Sequence, residues 1–138
     1  VLDLCSGSGA LGLEALSRGA SMATFVDSNA AALALARNNA EALAALPQCH
    51  FFCQDARDLS RLSQGPYALI FLDAPYRAGL DEDILAAMAA SPAMVPGALL
   101  VHEQEKNYKI LNKSIEIIFH KAYNKSQITF GLVHGEHT

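Results

Sequence analysis

Six residues, Gly7-Ser8-Gly9-Ala10-Leu11-Gly12, constrain this chain more than any others. They follow a short apolar run, residues 1–4, and open a stretch, residues 10–18, that is patterned as a helix and stopped by Gly19. Glycines at this spacing between a strand and a helix let the backbone turn sharply and bring a ligand close to the free N–H groups of the helix start. The bare pattern is common, so its setting carries the weight. Asp27 ends the next apolar run, where a carboxylate can accept both hydroxyls of a ribose. The bland alternative, glycines that only pack a helix on a sheet and an acid that only begins a turn, leaves the coincidence of loop and acid unexplained.

The remainder repeats the same alternation. Residues 22–27 predict a second strand, with Ser28 as N-cap of a long Ala/Leu helix that carries Leu33, Ala36 and Ala40 on one side and ends before Pro47. Residues 48–55 predict a third strand, 57–62 a turn or short helix, 67–73 the most apolar strand, 80–90 a helix and 97–104 a fifth strand. Two β-rich runs, 114–120 and 126–133, close the chain as a hairpin. Five strands alternating with helices imply a parallel α/β sheet covered on both faces, to which the hairpin adds an antiparallel edge. At 138 residues, 1–138 is expected to form a single domain. The chain begins with Val1 inside a strand, so a missing N-terminal piece is expected. No apolar run reaches bilayer length. Cys5, Cys49 and Cys53 are an odd, scattered set, for which reduced cytoplasmic thiols and no metal are expected.

Up to this point a dinucleotide site fits as well as any other. Asp3 separates the possibilities. It stands in the first strand, four residues before Gly7, where a pyrophosphate site normally has an apolar side chain. A carboxylate there repels pyrophosphate and suits a cationic amino group lying over the loop. S-adenosylmethionine carries such an amino group, a cationic sulfonium and a ribose, matching Asp3 at one end and Asp27 at the other. Asp55, at the end of the third strand, is placed to accept from an adenine amino group while the Ala56 N–H donates to the ring. Cys5, Gly7, Gly9 and Ser28 complete the expected cofactor set.

Asp73-Ala74-Pro75-Tyr76 follows the most apolar strand. This tetrapeptide resembles the Asp/Asn-Pro-Pro-aromatic motif of class I methyltransferases that modify exocyclic amino groups of bases. Together with Val1–Asp3, the run Gly7–Ala20, the Asn38 region and the turn Tyr123-Asn124-Lys125-Ser126, it is similar to the bacterial 16S ribosomal RNA guanine-N2 methyltransferase family over nearly the whole chain. The resemblance implies a Rossmann-like class I methyltransferase with a mostly parallel seven-stranded sheet. It also implies transfer of a methyl group from S-adenosylmethionine to the N2 amino group of a guanine in small-subunit ribosomal RNA.

An amino group on a base donates its lone pair into the ring and is a poor nucleophile. Hydrogen bonds from its two N–H groups to the Asp73 carboxylate and a main-chain carbonyl favour a pyramidal nitrogen, after which alignment matters more than acid–base power. Tyr76 offers a face on which the base can stack. The family's first proline is Ala74 here, which keeps the carbonyl and loses rigidity.

Charge is divided along the chain. Residues 1–105 hold five Arg, no Lys and twelve acids, a balance of −7; residues 106–138 hold five Lys and two acids, a balance of +3. Arg77 and the pair Lys121/Lys125 are candidates for phosphate contacts with ribosomal RNA or an assembling 30S subunit. His50 is read as packed in a strand, His102 and His120 as alternating with apolar neighbours. The expected protein is a cytoplasmic monomer with no membrane or metal partner. Its alternatives are an N6-adenine DNA or RNA methyltransferase, a degenerate cofactor-binding module without turnover, and an NAD-linked oxidoreductase disfavoured by Asp3.

Overall fold

A computed structural model of the chain describes residues 1–62, 64–75 and 79–135. Its elements, in chain order, are β1 (Leu2–Leu4), α1 (Ala10–Ser17), β2 (Ala23–Asp27), α2 (Ala30–Ala42), a 3-10 turn (Leu46–Gln48), β3 (Cys49–Cys53), β4 (Tyr67–Leu72), α3 (Leu80–Ala90), β5 (Met94–Glu105), β6 (Ile115–Ala122) and β7 (Ser126–Val133). The seven strands form one sheet in the order β3-β2-β1-β4-β5-β7-β6. Strands β1 to β5 pair in parallel, and β7 runs antiparallel between β5 and β6. This is the Rossmann-like class I methyltransferase arrangement expected from the sequence. Strand order reverses between β1 and β4, so the carboxyl ends of those strands open a crevice.

Strand alternation assigns the two faces. Leu2, Leu4, Val26, Ile70, Leu72 and Leu100 turn towards α3, where Ile84, Leu85 and Met88 are fully buried against them. Phe25 and Ala23 turn the other way, towards Leu13 of α1 and Leu33 and Ala40 of α2. Leu33, Ala36 and Ala40 form the buried side of α2, as the periodicity predicts.

One expectation is corrected. The N-cap of α2 is Asn29, whose Oδ1 accepts from the N–H groups of Ala31 and Ala32 at 2.9 and 3.1 Å; it is not Ser28. Asp27 Oδ1 takes the Asn29 N–H at 2.9 Å and thereby delays the helix by one residue. Residues 57–62 make turns, one of the two forms expected. The hairpin forms the expected antiparallel edge, with its second strand, β7, beside β5 and β6 outermost. The helix-free connection before β6 is pinned by Glu82 of α3, which accepts from the Tyr108 hydroxyl and from the N–H groups of Leu111 and Asn112 at 2.8 to 3.0 Å.

The glycine loop is fixed by close approach. A Cβ on Gly12 would lie 2.5 Å from Cε1 of Phe25 and 3.2 Å from Oδ2 of Asp3. Phe25 cannot easily turn aside, because it stacks on Phe51 with ring centroids 5.2 Å apart. Alanine inside a helix normally gains about 1 kcal/mol over glycine, while overpacking a filled core costs about 1–3 kcal/mol. Steric cost wins at this position. Gly12→Ala should therefore lower stability, seen as a fall in the urea midpoint; a midpoint at or above the parent's would show that the ring yields freely.

Candidate functional site

β1 delivers the chain to the carboxyl edge through Cys5, which adopts a left-handed backbone at φ 58°. The Ser6 N–H then donates to the Val26 carbonyl at 3.0 Å, tying the loop to β2. Gly9, also left-handed at φ 79°, is the N-cap of α1 and leaves 3.0 Å between a would-be Cβ and that of Ala36. Two carboxylates hold the loop from opposite sides. Asp3 Oδ2 accepts from Gly12 N–H at 3.0 Å, and Asp27 Oδ2 accepts from Gly7 N–H at 2.9 Å. These are charge-assisted bonds to main-chain donors, among the stronger kinds in proteins.

One cavity of about 550 Å³ lies over this edge, within the range of small-molecule sites. Cys5 from β1's end, Asp27 and Ser28 from β2's, Asp55 and Ala56 after β3, and Asp73, Ala74 and Pro75 after β4 line it, with Leu80 and Ile84 from α3. Asp55 is also held by Arg57, whose Nε and Nη2 donate to its two oxygens at 2.9 and 2.7 Å.

The field is negative. Burial raises the Asp3 carboxyl to about 7, against the Gly12 hydrogen bond, and the charges of Asp73 and Asp27 add to the rise. Burial also raises Asp73, with His102 opposing and Asp81 reinforcing the shift. The Cys5 thiol is pushed up to about 12 by burial and then by the surrounding aspartates, which makes it a neutral wall and no nucleophile.

Behind Asp73 lies a buried pair. His102 of β5 and Asp81 of α3 are 0 % and 1 % exposed by side chain, with Nε2 and Oδ2 2.5 Å apart. The register of β4 and β5 sets His102 opposite Leu72, the residue before Asp73. The pair fastens the first turn of α3, and hence Leu80 and Ile84, to β5, the neighbour of the strand that ends at the Asp73 loop.

Comparison with known proteins gives this geometry a lineage. The family described as conserved hypothetical protein 95 matches residues 1–132. The chain belongs to this family. It is 29% identical over 137 residues to the ribosomal RNA small subunit methyltransferase D of Escherichia coli, covering 98% of this chain and 68% of that protein. Among solved structures, it superposes with a TM-score of 0.84 on a putative methylase of Haemophilus influenzae, at 26% identity over 96% of this chain and 85% of that one. A conserved hypothetical protein of Streptococcus pyogenes gives 0.85 at 30% identity, over 99% and 87%. Fold and relatives together make this member of the conserved hypothetical protein 95 family a methyltransferase-type enzyme.

Eight residues singled out in this member from sequence, Cys5, Asp27, Ser28, Asp55, Ala56, Asp73, Ala74 and Pro75, meet around one cavity. Gly7 and Gly9 shape the loop beside it without lining it. Asp3 was expected to reach a bound cation directly; the structure sets it behind the loop, 2 % exposed, because alternation along β1 turns it towards α1. Tyr76 and Arg77 lie outside the described residues. Sequence reasoning missed Leu80 and Ile84, whose only signal was an i, i+4 apolar pair opening the helix after the tetrapeptide. Also missed was the His102–Asp81 pair, 21 residues apart. Among the described residues no group of three or more His, Cys, Asp or Glu is placed to hold a metal ion, and no helix is long and apolar enough to cross a membrane.

The raised Asp3 carboxyl makes stability depend on pH. Between roughly pH 4 and 7 the folded chain keeps a proton that the unfolded chain has released, so stability falls as pH rises through that window. The urea midpoint should be higher at pH 5 than at pH 7.5, and Asp3→Asn, which keeps an acceptor for Gly12, should flatten that difference. Equal slopes in parent and variant would assign the dependence to other groups.

Proposed function

We propose that this chain transfers a methyl group from S-adenosylmethionine to the N2 amino group of a guanine in small-subunit ribosomal RNA. One observation carries the reading: Asp27, Asp55 and the Asp73-Ala74-Pro75 loop, from three different strand ends, converge on one acid-lined cavity beside the glycine loop. A relative supports the RNA substrate, since the Escherichia coli protein is a ribosomal RNA methyltransferase.

The residues present fit a cationic nucleoside. Three carboxylates in the lining, with Asp3 behind them, favour positive charge and oppose a pyrophosphate. Asp27 stands where a carboxylate can accept ribose hydroxyls, and its existing bond to Gly7 N–H keeps it oriented. Asp55 and the Ala56 main chain are assigned to the adenine edge, with Leu80 and Ile84, which also line the cavity, as an apolar wall for its ring. When bound, S-adenosylmethionine supplies an electrophilic methyl on a sulfonium.

Asp73 and the carbonyl of the Ala74-Pro75 segment accept the two N–H groups of the target amine and aim its lone pair at that methyl. Held in this way, the nitrogen would take the methyl group that the cofactor supplies, and the cofactor would leave as its demethylated product. The nitrogen then loses one proton, for which the Asp73 carboxylate, already raised by burial, is the nearest acceptor assigned to it. Tyr76 is assigned to stack on the base, which must leave its own stack to enter.

Calorimetry should detect binding of S-adenosylmethionine or its demethylated product and none of NAD; the reverse result would end this assignment. Labelled methyl incorporation into unmethylated 30S subunits, followed by nucleoside analysis, distinguishes N2-methylguanine from N6-methyladenine. Asp73→Ala should lower transfer by at least about 10²-fold while leaving cofactor affinity within about tenfold. Loss of both together would place Asp73 in the cofactor pocket.

A further inference from the structure

The basic charge of residues 106–138 finds a definite place in the fold. β7 runs antiparallel to β5, and its first residue, Ser126, pairs with Glu105, the last of β5. The hairpin turn 123–125 therefore emerges at the same edge of the sheet as the cavity, not at the opposite one. β5 extends three residues past His102, the partner of Leu72. At about 3.3 Å per residue, the turn stands roughly 10 Å above the level at which β4 ends. Laterally, β7 is two strand spacings from β4, again about 10 Å. The hairpin tip thus forms a wall beside the Asp73 loop.

That wall carries its own chemistry. Lys121 and Lys125 are exposed, and Lys106 joins them because its N–H donates to the Lys125 carbonyl at 3.3 Å. Tyr123 is 47% exposed, and the Lys121 ammonium sits 5.3 Å from its ring centroid. The turn is held by its own backbone, Tyr123 N–H to the Ser126 carbonyl at 2.7 Å, so it presents these groups without side-chain support from the core. Glu105 and Glu103 of β5 are the carboxylates nearest in sequence to the pairing end; three lysines against them leave a surplus of positive charge. An exposed aromatic face beside two or three lysines is the pairing that stacks an unpaired base and neutralises its phosphates. The cavity next to it has the opposite sign and would not hold a phosphate.

We propose that the tip of the β6–β7 hairpin is a second RNA contact: a nucleotide flanking the target, in an unpaired stretch, stacks on Tyr123 while Lys106, Lys121 and Lys125 take the adjoining phosphates. This rests on the RNA-methylating reading above and adds to it the surface that orients the strand entering the Asp73 pocket.

The test uses the full chain and two variants, Lys121→Ala/Lys125→Ala and Tyr123→Ala. Each is checked for unchanged thermal unfolding, which the exposure of all three side chains predicts. Affinity for a fluorescein-labelled fragment of unmodified 16S ribosomal RNA is measured by anisotropy from 50 to 300 mM KCl, and S-adenosylmethionine affinity by calorimetry. The lysine variant should lower the slope of log affinity against log salt by about 1.4, two phosphates at roughly 0.7 each for single strands. Tyr123→Ala should weaken RNA binding by about 5- to 150-fold at fixed salt, with the slope kept. Cofactor affinity should stay within about twofold in both, since no tip residue lines the cavity.

Unchanged RNA affinity and slope in both variants overturn the hairpin contact while leaving methyl transfer standing. A parent that binds RNA through these residues yet incorporates no methyl overturns the reaction and leaves the contact. A parent that binds the cofactor and no RNA overturns both.

Discussion

A carboxylate buried beneath a glycine is the constraint on which the site depends. Asp3 points into the α1 side of the sheet, where an ionised side chain is costly unless hydrogen-bonded. The Gly12 N–H meets it at 3.0 Å, and only a residue without Cβ brings that N–H so near, because Phe25 occupies the remaining space. Helix α1 therefore cannot slide along the sheet without stranding Asp3 or striking Phe25. Once α1 is placed, the loop before it is placed, and with it Gly7 N–H against Asp27 and the mouth of the cavity.

The same contact explains why Asp3 works at a distance. A carboxyl raised to about 7 is partly protonated at neutral pH, and a cation arriving in the cavity draws it towards the ionised form. Its burial thus stores a sensitivity to positive charge that an exposed aspartate lacks. Asp27 stands in a different setting, bonded to two N–H groups and lining the cavity, and is suited to direct contact with ligand hydroxyls. The two acids at neighbouring strand ends have separate tasks because alternation buries one and the strand terminus exposes the other.

Much of this was legible in sequence, for identifiable reasons. The glycine loop, Asp27 and the Asp73 tetrapeptide each sit where an apolar run stops, so local patterning was enough to place them at one edge of a parallel sheet. The α2 cap was misjudged by one residue because Ser28 and Asn29 both suit the role, and only the Asp27 side chain, pointing back to Asn29 N–H, decides between them. The depth of Asp3 was invisible because it depends on which face α1 covers. His102 and Asp81 meet only through the register that sets β5 beside β4, and no local pattern encodes that register. Leu80 and Ile84 are at once core and cavity wall, since one helix face serves both.

The uneven charge of the chain acquires a physical meaning from topology. The acids of residues 1–105 that matter, Asp3, Asp27, Asp55, Asp73 and Asp81, belong to or directly follow β1 to β4, or open α3, and so gather at one end of the sheet. Tyr123 and Lys125 belong to the turn between β6 and β7, and the strand order decides which end of that turn faces β5. With β7 inside, Lys125 adjoins Lys106 at the end of β5, and Lys121 stands one strand further out. A row of positive charge then runs outward from the acidic cavity along a single edge. On the proposed reaction, that division lets a cation and a polyanion approach the same amino group from neighbouring directions without either entering the other's field. A uniformly basic surface would attract RNA equally well and would weaken the cavity's hold on a sulfonium within a Debye length of about 8–10 Å. Two strand spacings, about 10 Å, set the basic tip roughly one Debye length to the side of the strand that ends at Asp73.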